Sequence, residues 1–229
     1  VVLVTELPFG AERLSLGSIE FVADAIFILK HRVEESRLVR VMEVRKARGA
    51  PIVIAEIPFA IVSDKGLEVY PPPILEELPH EGEEIIVPFK ILRERGFNHI
   101  HRGFSFYVSF PPDARSWITY AIVLGLTIAL DMKTLIVSYL YSPKTVREFI
   151  ITGLKNVGLK RSLAEKVVDK YFVLKSINPF AYSISQLYAV ELGLAERYRR
   201  KVDVMVFDDV GILSSIVKQN IDYLYNQLN

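Results

Sequence analysis

Phe104-Ser105-Phe106-Tyr107-Val108-Ser109 leads into Phe110-Pro111-Pro112-Asp113-Ala114-Arg115-Ser116-Trp117, and how this stretch reads decides the fold of the second half of the chain. Aromatic and β-branched residues suit a pleated, half-buried surface, so residues 104–109 are expected to form a strand. Pro111 and Pro112 fit neither a helix interior nor a central strand, so a loop follows. Residues 116–130 then read as a buried helix. Their apolar run is interrupted by Thr119, Gly125 and Thr127 and is too short to span a bilayer. Strand, loop and helix together open a parallel α/β layer, and in such sheets ligands gather beyond the carboxyl ends of the strands.

The same rhythm continues downstream. Strands are expected at residues 133–139, 171–174 and 202–207, and helices at 143–156, 163–170, 185–200 and 212–228. Strands alternating with helices of this length imply a doubly wound, mostly parallel sheet flanked by helices. Upstream the pattern changes to mostly β. Residues 1–5 read as a buried strand, 16–24 as a short helix, and 25–30, 37–44 and 57–62 as strands. Ser63-Asp64-Lys65-Gly66 is a turn in which Gly66 is free to take positive φ, and a strand at 67–70 follows. Pro71-Pro72-Pro73 then stiffens the chain toward polyproline II. The expected organisation is a β-rich segment at 1–73, a Pro-rich linker at 74–83 and an α/β domain at 84–229.

The 229 residues are ample for a core, with 51% hydrophobic and 24% charged. Twenty-eight Lys and Arg against 27 Asp and Glu leave a net charge of +1, which gives no polyanion signal and argues against a nucleic-acid partner. The absence of cysteine excludes disulfides and thiolate metal sites and fits a reducing cytoplasm. No signal peptide or membrane span is visible. Val1 opens directly in an apolar run, and the helical pattern at 214–229 stops without a cap. A piece of a longer protein is therefore the expectation.

In the loop at 110–117 the order of features resembles KaiC-like ATPases of the RecA superfamily, whose loop reads G-P-P-G-x-G-K-T. The preceding strand, the two prolines and the apolar helix match. That resemblance implies a RecA-like P-loop NTPase fold. A phosphate-binding loop needs glycines, a Lys for the β/γ-phosphates and a hydroxyl for Mg²⁺. Here Phe110, Asp113 and Arg115 replace the glycines. Ser116 replaces the lysine, Trp117 the hydroxyl residue, and Ala114 the variable position. After the next strand the family carries a Glu pair that activates water; Leu140 and Tyr141 occupy those places. Val202-Asp203-Val204-Met205-Val206-Phe207-Asp208-Asp209 resembles a Walker B strand, with Asp208 where Mg²⁺ is held. Without the lysine and hydroxyl, Asp208 reads as inherited architecture that caps a following helix.

The first segment resembles the closing part of such a domain. Gly17-Ser18-Ile19-Glu20-Phe21-Val22-Ala23-Asp24 is similar to G-V-E-x-F-V-x-D, and Lys46-Ala47-Arg48-Gly49 to K-x-R-G. In the family's rings the Lys and Arg of that motif reach the γ-phosphate of the neighbouring subunit, so the resemblance implies an ATP contact in trans for Lys46 and Arg48. Ile52 departs from the His often found nearby. The plain alternative is that Arg45, Lys46 and Arg48 end a strand in water.

Other features carry less chemistry. His99 and His101 alternate as on one strand face, but without a partner ligand they make a poor metal site, and no metal is expected. Arg197-Tyr198-Arg199-Arg200-Lys201 suits a helix C-terminus. Taken together, the second domain is expected to be a pseudo-ATPase layer of a self-associating ring or dimer, open to protein partners. No cofactor is expected there, while ATP and Mg²⁺ belong to the family's active domains. Two alternatives stand beside it. A RecA-like DNA-binding or recombination protein would show salt-dependent DNA affinity. A nucleotide-binding switch would use Arg115 on phosphate.

Overall fold

The computed structural model describes residues 1–6, 19–34, 36–52, 55–63, 65–71, 83–111 and 120–215. The chain divides into two units, Val1–Pro71 and Pro72–Asn229.

Four antiparallel strands, hydrogen-bonded in chain order, build the first unit: β1 (Ala25–Glu34), β2 (Arg37–Ala47), β3 (Glu56–Val62) and β4 (Gly66–Val69). Their Val, Ile and Leu content is the reason they are strands, and the sequence placed all four, short by a few residues at some ends. The turn between β3 and β4 forms as read: Gly66 sits at φ +79°, which a side chain would strain, and Lys65 N–H donates to Val62 O at 3.3 Å. Period-2 alternation separates the two sheet faces. Phe27, Leu29 and Val33 are exposed on one, with Ile61 and Leu67. The other carries ion pairs, Lys30 with Glu43 and Arg32 with Glu56 (3.2 Å). Hydrogen bonds from Lys30 and Arg45 hold the Glu43 carboxyl below its ordinary range.

Residues 1–5, expected as a buried strand, are exposed and make no strand. β-propensity is a preference for a half-buried pleated surface, and here no such surface receives the segment. Of the helix read at 16–24, the described part is Ile19–Val22.

In the second unit, β7 (Thr134–Ser138) lies between β8 (Phe172–Ser176) and β9 (Val204–Asp208) in a parallel sheet. All five residues of β7 are buried. Alternation along it feeds two cores. Ile136 packs with Tyr120, which precedes the helix Ala121–Ala129, and with Leu124, Ile150 and Val168 from that helix and from Pro143–Asn156 and Arg161–Tyr171. Leu135 and Val137 pack with Leu187 of the helix Ile184–Tyr198, and with Val202 and Leu213. Helices on both faces bury a near-continuous apolar strand, as a parallel sheet requires.

Local chemistry sets the helix ends. Ser142 accepts from Thr145 N–H at 3.2 Å and Pro143 occupies the first turn, where its missing N–H costs nothing. Ser183 and Gln186 form a capping box. Gly125 serves close approach: a Cβ there would overlap the Phe89 ring.

Two expectations change in this unit. Residues 104–109 form no strand and stay exposed, since none of the described strands pairs with them. Instead a small antiparallel ribbon, β5 (Glu84–Ile86) with β6 (His99–His101), precedes them. Of the helix at 116–130, residues 121–129 are helical, while 112–119 lie outside the described residues. Residues 210–215 are a short 3₁₀ turn, and 216–228 again lie outside the description.

Candidate functional site

Parallel register brings Ser138, Ser176 and Asp208 level at the carboxyl ends of β7, β8 and β9. This end is where a doubly wound sheet places its ligand. Ser138 Oγ accepts from Tyr141 N–H at 3.0 Å, which folds the following residues back over the strand end. Tyr139 N–H donates to Asp208 O at 3.2 Å. Its side chain turns to the second core, where it stacks on Phe207 (centroids 6.4 Å apart) and donates to buried Glu191. Leu140 is exposed. Tyr141 meets Phe149 edge-on at 5.1 Å, and Tyr120 lies 6.3 Å from the same ring.

Tyr120 is the residue that sequence reasoning missed. Only 3% of it is exposed, and its hydroxyl donates to Asp208 Oδ2 at 2.6 Å. Burial, then the hydrogen bond to Asp208, push the phenol well above the usual tyrosine range, so it stays a donor at any physiological pH. Asp208 therefore spends an oxygen on a protein hydroxyl. In the turn that follows, Ile212 N–H bonds the backbone carbonyl of Asp209 at 3.0 Å. Asp209 adopts φ +62°, a left-handed conformation that Asp tolerates better than most residues. Partial removal from water, then the Asp208 charge, raise its carboxyl to about 6, although much of the residue remains open to solvent.

The structure thus gathers Leu140, Tyr141 and Asp208 at one sheet end. Phe110 and Pro111 lie in an irregular segment, half-buried and exposed respectively, and Pro112, Asp113, Ala114, Arg115, Ser116 and Trp117 lie outside the described residues. His99 pairs with Glu84 at 2.8 Å; among the described residues no group of three or more His, Cys, Asp or Glu is placed to hold a metal. Lys201 and Lys175 lie 5.7 and 5.9 Å from the Tyr198 ring, which gives part of the basic run a structural partner. No helix among the described residues is long and apolar enough to cross a membrane.

In the first unit Lys46 and Arg48 converge. Lys46 Nζ and an Arg48 guanidinium N–H both donate to Phe21 O at 3.1 Å, and Arg48 also reaches Asp24 Oδ1 at 3.1 Å. Cations at the end of the short helix Ile19–Val22 suit its unsatisfied carbonyls. Arg45 departs from them to pair with Glu43 at 2.8 Å.

Residues 1–74 match a protein-family model described as "ATPase: KaiC". That span carries β1–β4, Lys46 and Arg48, and supports a relation to KaiC-like ATPases. It stops before β5 and includes nothing of the parallel sheet. No curated protein matches the chain.

Mg-ATP is the ligand such a relation implies at the carboxyl end of the parallel sheet. The described residues there do not fit it. Asp208 accepts from the Tyr120 hydroxyl, and Leu140 and Tyr141 offer no carboxylate to activate water.

Proposed function

We propose that the second unit is a non-catalytic, RecA-related scaffold, a pseudo-ATPase layer within an oligomeric assembly, and that the first unit presents Lys46 and Arg48 to ATP held by a neighbouring subunit. The Tyr120–Asp208 hydrogen bond carries the first half of this reading. A carboxylate that serves Mg²⁺ keeps its oxygens for the ion or its waters, and a hydroxyl on a buried ring takes one of them away. Loss of the lysine and hydroxyl residues at Ser116 and Trp117, and of the Glu pair at Leu140 and Tyr141, supports the same conclusion from the sequence. The convergence of Lys46 and Arg48 on one carbonyl supports the second half. Two cations held side by side form the kind of unit that stabilises a transferring phosphoryl group in trans.

The test is turnover. The chain alone is expected to hydrolyse no ATP above background, with or without Mg²⁺. An activity abolished by Asp208→Asn would overturn the scaffold reading, because it would place Asp208 in a working metal site.

A further inference from the structure

Arg48 is tied to the segment before β1 at two levels. Its backbone N–H donates to Asp24 O at 2.7 Å, which extends the β1–β2 pairing one step past Ala25 and Ala47. Its guanidinium reaches the same segment: one terminal nitrogen donates to Asp24 Oδ1 and the other to Phe21 O, each at 3.1 Å. Lys46 Nζ donates to that Phe21 carbonyl as well, also at 3.1 Å. Asp24 and Arg48 stand in two separate motifs of the sequence, and the antiparallel register is what brings them together.

Stability does not account for the side-chain pair. Both members are largely exposed, and an ion pair in water is screened and contributes little. A double tether instead removes freedom from a long side chain. Arginine carries a large rotamer entropy, and a group that must act in one geometry acts faster when that entropy has been lost beforehand. The two tethers use two of the five guanidinium donors, and an oxyanion can take others.

We infer that Asp24 is the positioning residue of the cation pair: it holds the Arg48 guanidinium beside Lys46, ready for a neighbour's terminal phosphate. The assignment rests on the reading of Lys46 and Arg48 given above. Asp24 touches no phosphate in it and acts only through Arg48. Its negative charge opposes an incoming anion, so its contribution is the geometry of the hydrogen bond and not its field. Asparagine keeps the acceptor oxygen without the charge, and alanine keeps neither.

Nitrogen relaxation at Arg48 Nε in the full chain tests it, with Asp24→Asn and Asp24→Ala beside the unaltered chain. An order parameter above the flexible limit of about 0.6 is expected in the unaltered chain and in Asp24→Asn, and one below it in Asp24→Ala. Circular dichroism should not change, because the bond from Arg48 N–H to Asp24 O needs no side chain. In an assembly with an intact nucleotide site, Asp24→Ala should lower kcat at least about tenfold with KM for ATP unchanged, and Asp24→Asn should retain most of the activity. A mobile guanidinium in the unaltered chain, or one that Asp24→Ala leaves ordered, would overturn the proposal. So would a turnover that rises in Asp24→Ala, which would make Asp24 a competitor of phosphate for Arg48. A turnover that Arg48→Ala itself leaves unchanged would instead remove the reading of the cation pair, while the order parameters still decide whether Asp24 holds Arg48.

Discussion

Tyr120 and Asp208 are 88 residues apart in sequence and 2.6 Å apart at their oxygens. Removing the hydroxyl in Tyr120→Phe leaves a half-buried carboxylate short of a donor. The expected loss is about 1–3 kcal/mol of folding stability, read by urea denaturation. Asp209 gives a second prediction with a definite sign. Its folded carboxyl, at about 6, lies above the ordinary Asp value of 3.8, so the folded state holds the proton more tightly than the unfolded chain. The resulting stability is fully present below about pH 4 and is lost as pH rises through about 6. Water screens this partly open group, so the slope is shallow. Asp209→Asn should flatten it; an unchanged slope between those two pH values would show that another group titrates. None of this pairing is legible along the chain. Asp208 can be read as the end of an apolar strand, but its partner depends on the order of strands in the sheet and on where a distant helix begins.

At the scale of elements, local rules worked where the signal was local. The Gly66 turn, the Ser142-Pro143 start and the Ser183 capping box are short-range hydrogen-bonding chemistry, and the strands and helices they delimit were readable to within a few residues. The reading failed for residues 1–5 and 104–109, which have strand composition but pair with no strand among the described residues. Composition reports what a segment prefers, whereas a strand also needs a neighbour. The ribbon of β5 and β6 was missed for the converse reason: three-residue strands are too short to show a period. Contact between Phe89 and Gly125 joins the segment after β5 to the helix Ala121–Ala129. Gly125→Ala should cost about 1–2 kcal/mol despite its better helix propensity, because the ring must be displaced. Adding Phe89→Leu should recover part of that loss, and thermal denaturation of the single and double variants measures it. A stabilised Gly125→Ala would mean that the ring swings away freely.

At the scale of the whole molecule the two units carry different features. The first unit carries Lys46 and Arg48, and in the proposed reading the second is a scaffold whose Asp208 is engaged by Tyr120. Arg48 is exposed and shares one carbonyl with half-buried Lys46, so Arg48→Ala should change folding stability by no more than about 1 kcal/mol. In an assembly that contains an intact nucleotide site, the same change should lower ATP turnover at least about tenfold, since the cation acts on a neighbour's phosphate. Equal turnover with and without Arg48 would reduce the pair to a helix-end contact. The family match reaches only residue 74, and the sequence carried the relation further on motif order alone. Of the candidate site, the sequence pointed to Leu140, Tyr141 and Asp208, which lie together at the sheet end. It did not point to Tyr120, because Tyr120 and Phe149 become neighbours only through packing.

Isothermal calorimetry of Mg-ATP titrated into the intact chain decides between a scaffold and a nucleotide-binding module. With Asp208 held by Tyr120, no binding heat beyond dilution is expected. A saturable isotherm with one site per chain, lost on Asp208→Asn, would make the second unit a nucleotide-binding module.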